Sequence, residues 1–71
     1  MDKKGELKKL GRNIAKWRSK RGISQDDLAY ESEVGRRTIN RIEVGDTDAR
    51  YSTLLKIAKI LEIRVKDLVD Y

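Results

Sequence analysis

Apolar residues along this chain recur at steps of three and four rather than two, the period of helices that bury one face. Leu7, Leu10, Ile14 and Trp17 form the first stripe and predict a helix from about Lys3 to Lys20, with Gly22 as its left-handed C-terminal cap. Ser24 and Asp27 have the spacing of a capping box and start a second helix that turns Leu28 and Ala29 inward. The pattern breaks at Glu33-Val34-Gly35, resumes as a third helix from Arg36 to about Val44, and stops at Gly45. A polar loop, GDTDAR, leads to a fourth helix capped by Ser52, with Leu54, Ile57, Ala58 and Leu61 on one side. A short fifth helix near Val65 to Val69 carries Val65, Leu68 and Val69. Proline is absent and β-branched residues are not grouped in alternating runs. The expected fold is therefore all-α, a compact five-helix bundle forming one domain over residues 1–71.

The third helix is unlike the others. At about 100° per residue, with Arg36 at zero, Asn40 falls at about 40°, Arg37 at about 100° and Arg41 at about 140°. Ile39 and Ile42 fall on the opposite side, near 300° and 240°. One face packs, and the other presents arginines and an asparagine. Arginine can fork onto the O6 and N7 acceptors of guanine, and asparagine can pair with N6 and N7 of adenine. A merely solvated polar face is the bland alternative. Against it, clustered like charges repel, and Arg36 and Arg37 at a helix N-terminus oppose the helix dipole by about 0.3–1 kcal/mol each. A local cost without structural return points to function.

Composition narrows the classes. The chain has 71 residues, no cysteine and no histidine. That excludes disulfides and thiolate metal sites and removes the commonest general base, so neither catalysis, nor a metal, nor a cofactor is expected. No apolar run approaches the ~20 residues of a membrane span, and the expected setting is the cytoplasm. The net charge is +5, and residues 1–22 carry nine basic against two acidic side chains. A basic segment plus an arginine cluster suits a polyanionic partner such as nucleic acid; a lysine-rich surface that only maintains solubility would give the same balance.

The run ISQDDLAYESEVGRRTINRIEVG, followed by LLKIAKIL, resembles the phage-repressor-like helix-turn-helix family, the lambda- and Cro-type DNA-binding domains. It is similar to short stand-alone regulators, including restriction–modification controller proteins. The likeness spans about Leu10 to Leu68, with the helix-turn-helix at about 24–44. It implies a five-helix fold with the third helix in the major groove of double-stranded DNA. Arg36, Arg37, Asn40 and Arg41 would then face base edges, and Gln25 would contact a phosphate and brace the reading helix. Gly35 would let a phosphate approach the backbone, and Arg50 is a further candidate phosphate contact. The family's arginine–glutamate pair between the first and third helices maps onto Arg18 and Glu43. Two positions depart from the pattern. Glu33 stands where glycine or asparagine is common, so a slightly remodelled turn is expected. Arg64 replaces the usual polar cap of the fifth helix, which weakens that helix.

Other constellations carry less. Asp46 and Asp48 begin like a calcium loop, but the remaining ligands are missing. Ser24, Ser32 and Ser52 have no histidine to activate them. Trp17 reads as core, Tyr30 as surface, and Tyr51 as packed on the end of the third helix. The fourth helix is apolar at 54, 55, 57, 58, 60 and 61, more than a small core absorbs. Leu55 and Ile60, together with Val65, Leu68, Val69 and Tyr71, therefore form a candidate homodimer interface. Such a dimer would set two reading helices about 34–36 Å apart on a near-palindrome. No small-molecule effector is expected. The rival readings are an antitoxin-like or adaptor protein-interaction module, whose distinguishing mark would be an extra tail beyond Tyr71, and a coat on nucleic acid without sequence preference.

Overall fold

A computed structural model describes residues 3–70. Among them the chain forms five helices: α1 (Lys3–Lys20), α2 (Gln25–Ser32), α3 (Arg36–Glu43), α4 (Tyr51–Leu61) and α5 (Val65–Val69). The core takes Leu10 and Ile14 from α1, Leu28 and Ala29 from α2, and Ile39 and Ile42 from α3. It is completed by Leu54, Ile57, Ala58 and Leu61 from α4 and Leu68 from α5. Burying these one-sided stripes against each other is the main force holding such short helices, which are marginal alone. Trp17 packs partly buried against the core, as its spacing predicts, with the Lys20 ammonium 4.8 Å from its ring centroid. Leu7, the first residue of the stripe, is only half-buried.

The helix ends follow one rule. α1, α2, α3 and α4 each finish on a left-handed residue, respectively Gly22, Glu33, Gly45 and Glu62. In each, the next amide reaches back five residues: Ile23 to Arg18, Val34 to Ala29, Asp46 to Arg41 and Ile63 to Ala58, at 2.9–3.3 Å. This is the Schellman arrangement, which sets the residue after the cap against the last turn of its helix. Three of those residues, Ile23, Val34 and Ile63, pack against the core. The anticipated remodelling at Glu33 does not occur: Glu33 itself takes φ 59°, held by Val34 on the core and by its own amide bond to the Tyr30 carbonyl. Left-handed backbone costs an L-residue about 1–2 kcal/mol, and this packing offsets it.

The N-termini hold one surprise. Ser24 caps α2 as expected, its hydroxyl accepting from the Asp27 amide at 3.0 Å while the Asp27 carboxylate accepts from the Ser24 amide at 3.2 Å. α4, however, is not capped by Ser52. It begins at Tyr51, with Arg50 in extended conformation as the N-cap residue and its carbonyl accepting from Leu54 at 3.0 Å. Ser52 is inside the first turn and exposed. At α5, the Arg64 position is served by Asp67, whose carboxylate accepts the Arg64 amide at 3.0 Å.

Two polar devices in α1 position the rest. Gly11 lets α1 approach α3 so closely that a Cβ there would collide with the carbonyl oxygens of Ile42 and Glu43. Buried Asn13 donates from Nδ2 to the carbonyls of Asp67 at 2.8 Å and Leu68 at 2.6 Å, pinning α5 by carbonyls its own helix leaves unpaired. Neither residue stands out from the sequence except as a small or polar residue beside the apolar stripe.

Candidate nucleic-acid interface

α3 has the two faces its sequence predicts. Ile39 and Ile42 are 0% and 2% exposed, while Arg36, Arg37 and Arg41 are exposed and Asn40 is half-buried. At the C-terminal end of α3 Glu43, buried, accepts three side-chain hydrogen bonds: from Arg18 Nε at 2.8 Å, Arg18 Nη2 at 3.1 Å and Gln25 Nε2 at 2.9 Å. Arg18 also donates to the Ile23 carbonyl at 2.9 Å. The Glu43 hydrogen bond raises the Arg18 guanidinium pKa above its ordinary value; desolvation opposes this and charge attraction adds to it. The expected Arg18–Glu43 pair is thus present and bidentate, the stronger geometry for a guanidinium and a carboxylate.

Gln25, the first residue of α2, lies between Glu43 and Asn40. It donates to Glu43 and its Oε1 accepts from Asn40 Nδ2 at 3.3 Å. The bracing expected of Gln25 is therefore built from side chains of α3. The chain of contacts runs from α1 through Glu43 and Gln25 to the exposed side of α3.

The three arginines are not equivalent. Arg36 is paired with Asp26 of α2, and Arg41 donates to Asp46 at 3.3 Å. The second pair follows from the Schellman ending of α3, which places residue 46 beside residue 41. All four side chains are largely exposed, so these pairs contribute little and exchange readily for another anion. Arg37 makes no side-chain hydrogen bond or ion pair with another described residue. Gly35 precedes α3 in an extended conformation without a side-chain cap, and a Cβ there would meet only Thr38 Oγ1 at 3.7 Å. Arg50 is exposed but lies at the start of α4, on a different element from the arginine face. Asp26 and Asp46, partners of the arginine face, were not singled out as such by sequence spacing.

The suggested dimer residues divide. Leu68 is 0% exposed and belongs to the monomer core, because Asn13 draws α5 inward on that side. Ile60 is partly buried against the core, on the side of α4 that faces Glu31, Ser32 and Glu33 at the end of α2. Leu55 and Val65 instead border a groove between α4 and α5, with Tyr51, Ala58 and Ile63. Val69, one turn after Val65, is exposed like Leu55. Tyr51 is 65% exposed and faces this groove, so it is not packed away as expected. Tyr71 lies outside the described residues. Among the described residues no helix is long and apolar enough to cross a membrane, and no cluster of potential metal ligands occurs.

Comparison with known proteins gives the same architecture. The control protein C.BamHI of Bacillus amyloliquefaciens is 38% identical over 53 residues, spanning 75% of this chain and 65% of its own length. An uncharacterised helix-turn-helix transcriptional regulator of Methanocaldococcus jannaschii is 34% identical over 55 residues, spanning 78% of this chain and 83% of its own. The crystal structure of the restriction-modification controller protein C.AhdI from Aeromonas hydrophila superposes with a TM-score of 0.88 at 30% identity, over 90% of this chain and 97% of that one. A transcriptional regulator from Vibrio cholerae gives 0.89 at 25% identity, over 97% of this chain but 39% of its own. The helix-turn-helix family model matches residues 14–68, from the Ile14 of α1 to the Leu68 of α5. The chain belongs to the helix-turn-helix family of DNA-binding transcriptional regulators.

Proposed function

We propose that this protein is a sequence-specific transcriptional regulator of the controller or repressor kind, binding an operator in double-stranded DNA as a homodimer. The observation that carries this reading is the division of α3: two fully buried isoleucines on one side and three exposed arginines on the other. In the major groove Arg37 is the leading base contact, because no other described residue competes for its guanidinium. Arg36 and Arg41 reach bases or nearby phosphates by exchanging Asp26 and Asp46 for DNA. A phosphate approaching Gly35 meets free amides at the start of α3. Gln25 and Arg50 supply flanking phosphate contacts. The lysine-rich α1 adds a sequence-independent attraction that falls with salt.

Dimerisation would use the α4–α5 groove, where Tyr51, Leu55 and Val65 leave apolar surface in solvent, together with exposed Val69 one turn after Val65. A two-fold axis there would give two reading helices for adjacent major grooves on one side of the duplex.

The deciding experiment is selection from a randomised duplex library at near-physiological salt, followed by sequencing of the retained fraction. Enrichment of a near-palindrome with half-sites about one helical turn apart is expected. Retention without sequence preference would instead make the protein a nucleic-acid coat, and no retention would leave a protein-binding module.

A further inference from the structure

Building on the major-groove reading above, we infer that Asn40 is a specificity-determining residue for an adenine in each half-site, and that Gln25 sets its orientation. The argument rests on which atoms can donate. Glu43, ionised and paired with Arg18, has only acceptors. Gln25, which meets it at 2.9 Å, must therefore turn its amide nitrogen toward Glu43. That leaves the Gln25 carbonyl oxygen facing α3. An acceptor there admits only the nitrogen of the Asn40 amide, which it holds at 3.3 Å.

Asn40 is thereby fixed two links away from the carboxylate. Its Nδ2 faces Gln25, and Oδ1 with the remaining N–H is left for a ligand. An acceptor beside a donor complements the N6 amino group and N7 of adenine in the major groove. It does not complement guanine, whose O6 and N7 both require donors. Gln25 and Glu43 are positioning residues in this arrangement, since neither needs to touch a base. The direction of the whole chain follows from the acceptor-only chemistry of one buried carboxylate.

The test compares the library-selection profile of the full chain with those of Asn40→Ala and Gln25→Lys. Lysine at 25 can still donate to Glu43 but offers no acceptor to Asn40, so it favours the reversed amide with both N–H groups toward the groove. The wild-type profile should show adenine at one position per half-site. Asn40→Ala should flatten that position alone, by roughly 5- to 150-fold in relative binding. Gln25→Lys should move it from adenine toward guanine and leave the others unchanged. A merely structural role for Gln25 would lower affinity equally on every sequence and move no single position. The inference is overturned if Asn40→Ala leaves every position as it was, or if Gln25→Lys retains adenine. Should lysine unfold the protein, Gln25→Ala answers the same question: a freed amide can present either edge, so the adenine preference at that position should weaken, and an unchanged preference would overturn the role of Gln25. A wild-type protein that enriches no sequence at all refutes the regulator reading itself, an outcome distinct from any of these.

Discussion

Replacing Glu43 with alanine tests the bracing of α3 most directly. Its carboxylate accepts three hydrogen bonds, at 2.8, 3.1 and 2.9 Å, and its side chain is 5% exposed against 20% for Arg18. Removing one member of a buried pair costs about 3–5 kcal/mol, because the other is left charged and uncompensated. Arg18 keeps its bond to the Ile23 carbonyl and some access to water, which moves the expected loss to about 2–4 kcal/mol. A domain of this length has about 4–11 kcal/mol in total, so the variant should be severely weakened. At about 4–8 °C per kcal/mol, melting should fall by roughly 8–32 °C. Circular dichroism during heating, at equal protein concentration to hold any dimerisation constant, measures this. The double variant Arg18→Met with Glu43→Leu removes both charges and should recover most of the loss. A Glu43→Ala protein that melts within about 0.5 kcal/mol of wild type, the scatter of an ordinary surface substitution, would refute the bracing. So would a double variant no more stable than the single one.

Four further outcomes are expected. Arg37→Ala should weaken binding to the selected operator by about 1–3 kcal/mol and relax one base position in a competition assay; an equal loss on every sequence would make Arg37 a phosphate contact. Leu55→Glu, at a side chain 47% exposed in the monomer, should leave melting of the monomer little changed but yield monomers in sedimentation equilibrium; a persistent dimer would place the interface elsewhere. Gly11→Ala should destabilise by about 1–3 kcal/mol, as overpacking does, because the atoms in the way are backbone carbonyls of α3 that cannot swing aside; unchanged melting would mean the α1–α3 approach is soft. Asn13→Ala strands the carbonyls of Asp67 and Leu68 and should cost about 1–3 kcal/mol, with amide exchange accelerated first in α5. Uniform acceleration across all helices would contradict that local role.

Much of this architecture was legible because each helix buries a single stripe, so the period of the apolar residues carries the element and its inward face together. Leu10, Ile14, Leu28, Ile39, Ile57 and Leu61 all lie in the core the spacing assigns them. Gly22 and Gly45 mark helix ends because glycine enters left-handed backbone at no steric cost. Glu33 and Glu62 reach the same conformation without that mark, because the apolar residue that follows each one docks on the core and over-determines the turn. Ser52 misled for a related reason. A cap is where the backbone turns helical, and the Arg50 carbonyl receives the first bond two residues before the serine. Leu68 and Val69 are adjacent in a five-residue helix, too short for periodicity to say which packs; Asn13, far away in sequence, decides it.

The arginine face shows the same limit at the level of chemistry. Its position on α3 follows from local spacing, but its state does not. Asp26 comes from α2 and Asp46 from the turn after α3, so two of the three guanidiniums are already paired in the free protein. Exposed pairs of this kind are worth about 0–1 kcal/mol, too little to block DNA and enough to bias where the side chains rest. Among the described residues Arg37 has no such tether, and Asn40 has a definite one through Gln25. The exposed side of α3 therefore offers one untethered fork, two loosely held ones and a single amide whose direction is fixed from the core. A uniform basic patch would attract DNA equally well, but it would have no reason to orient that amide.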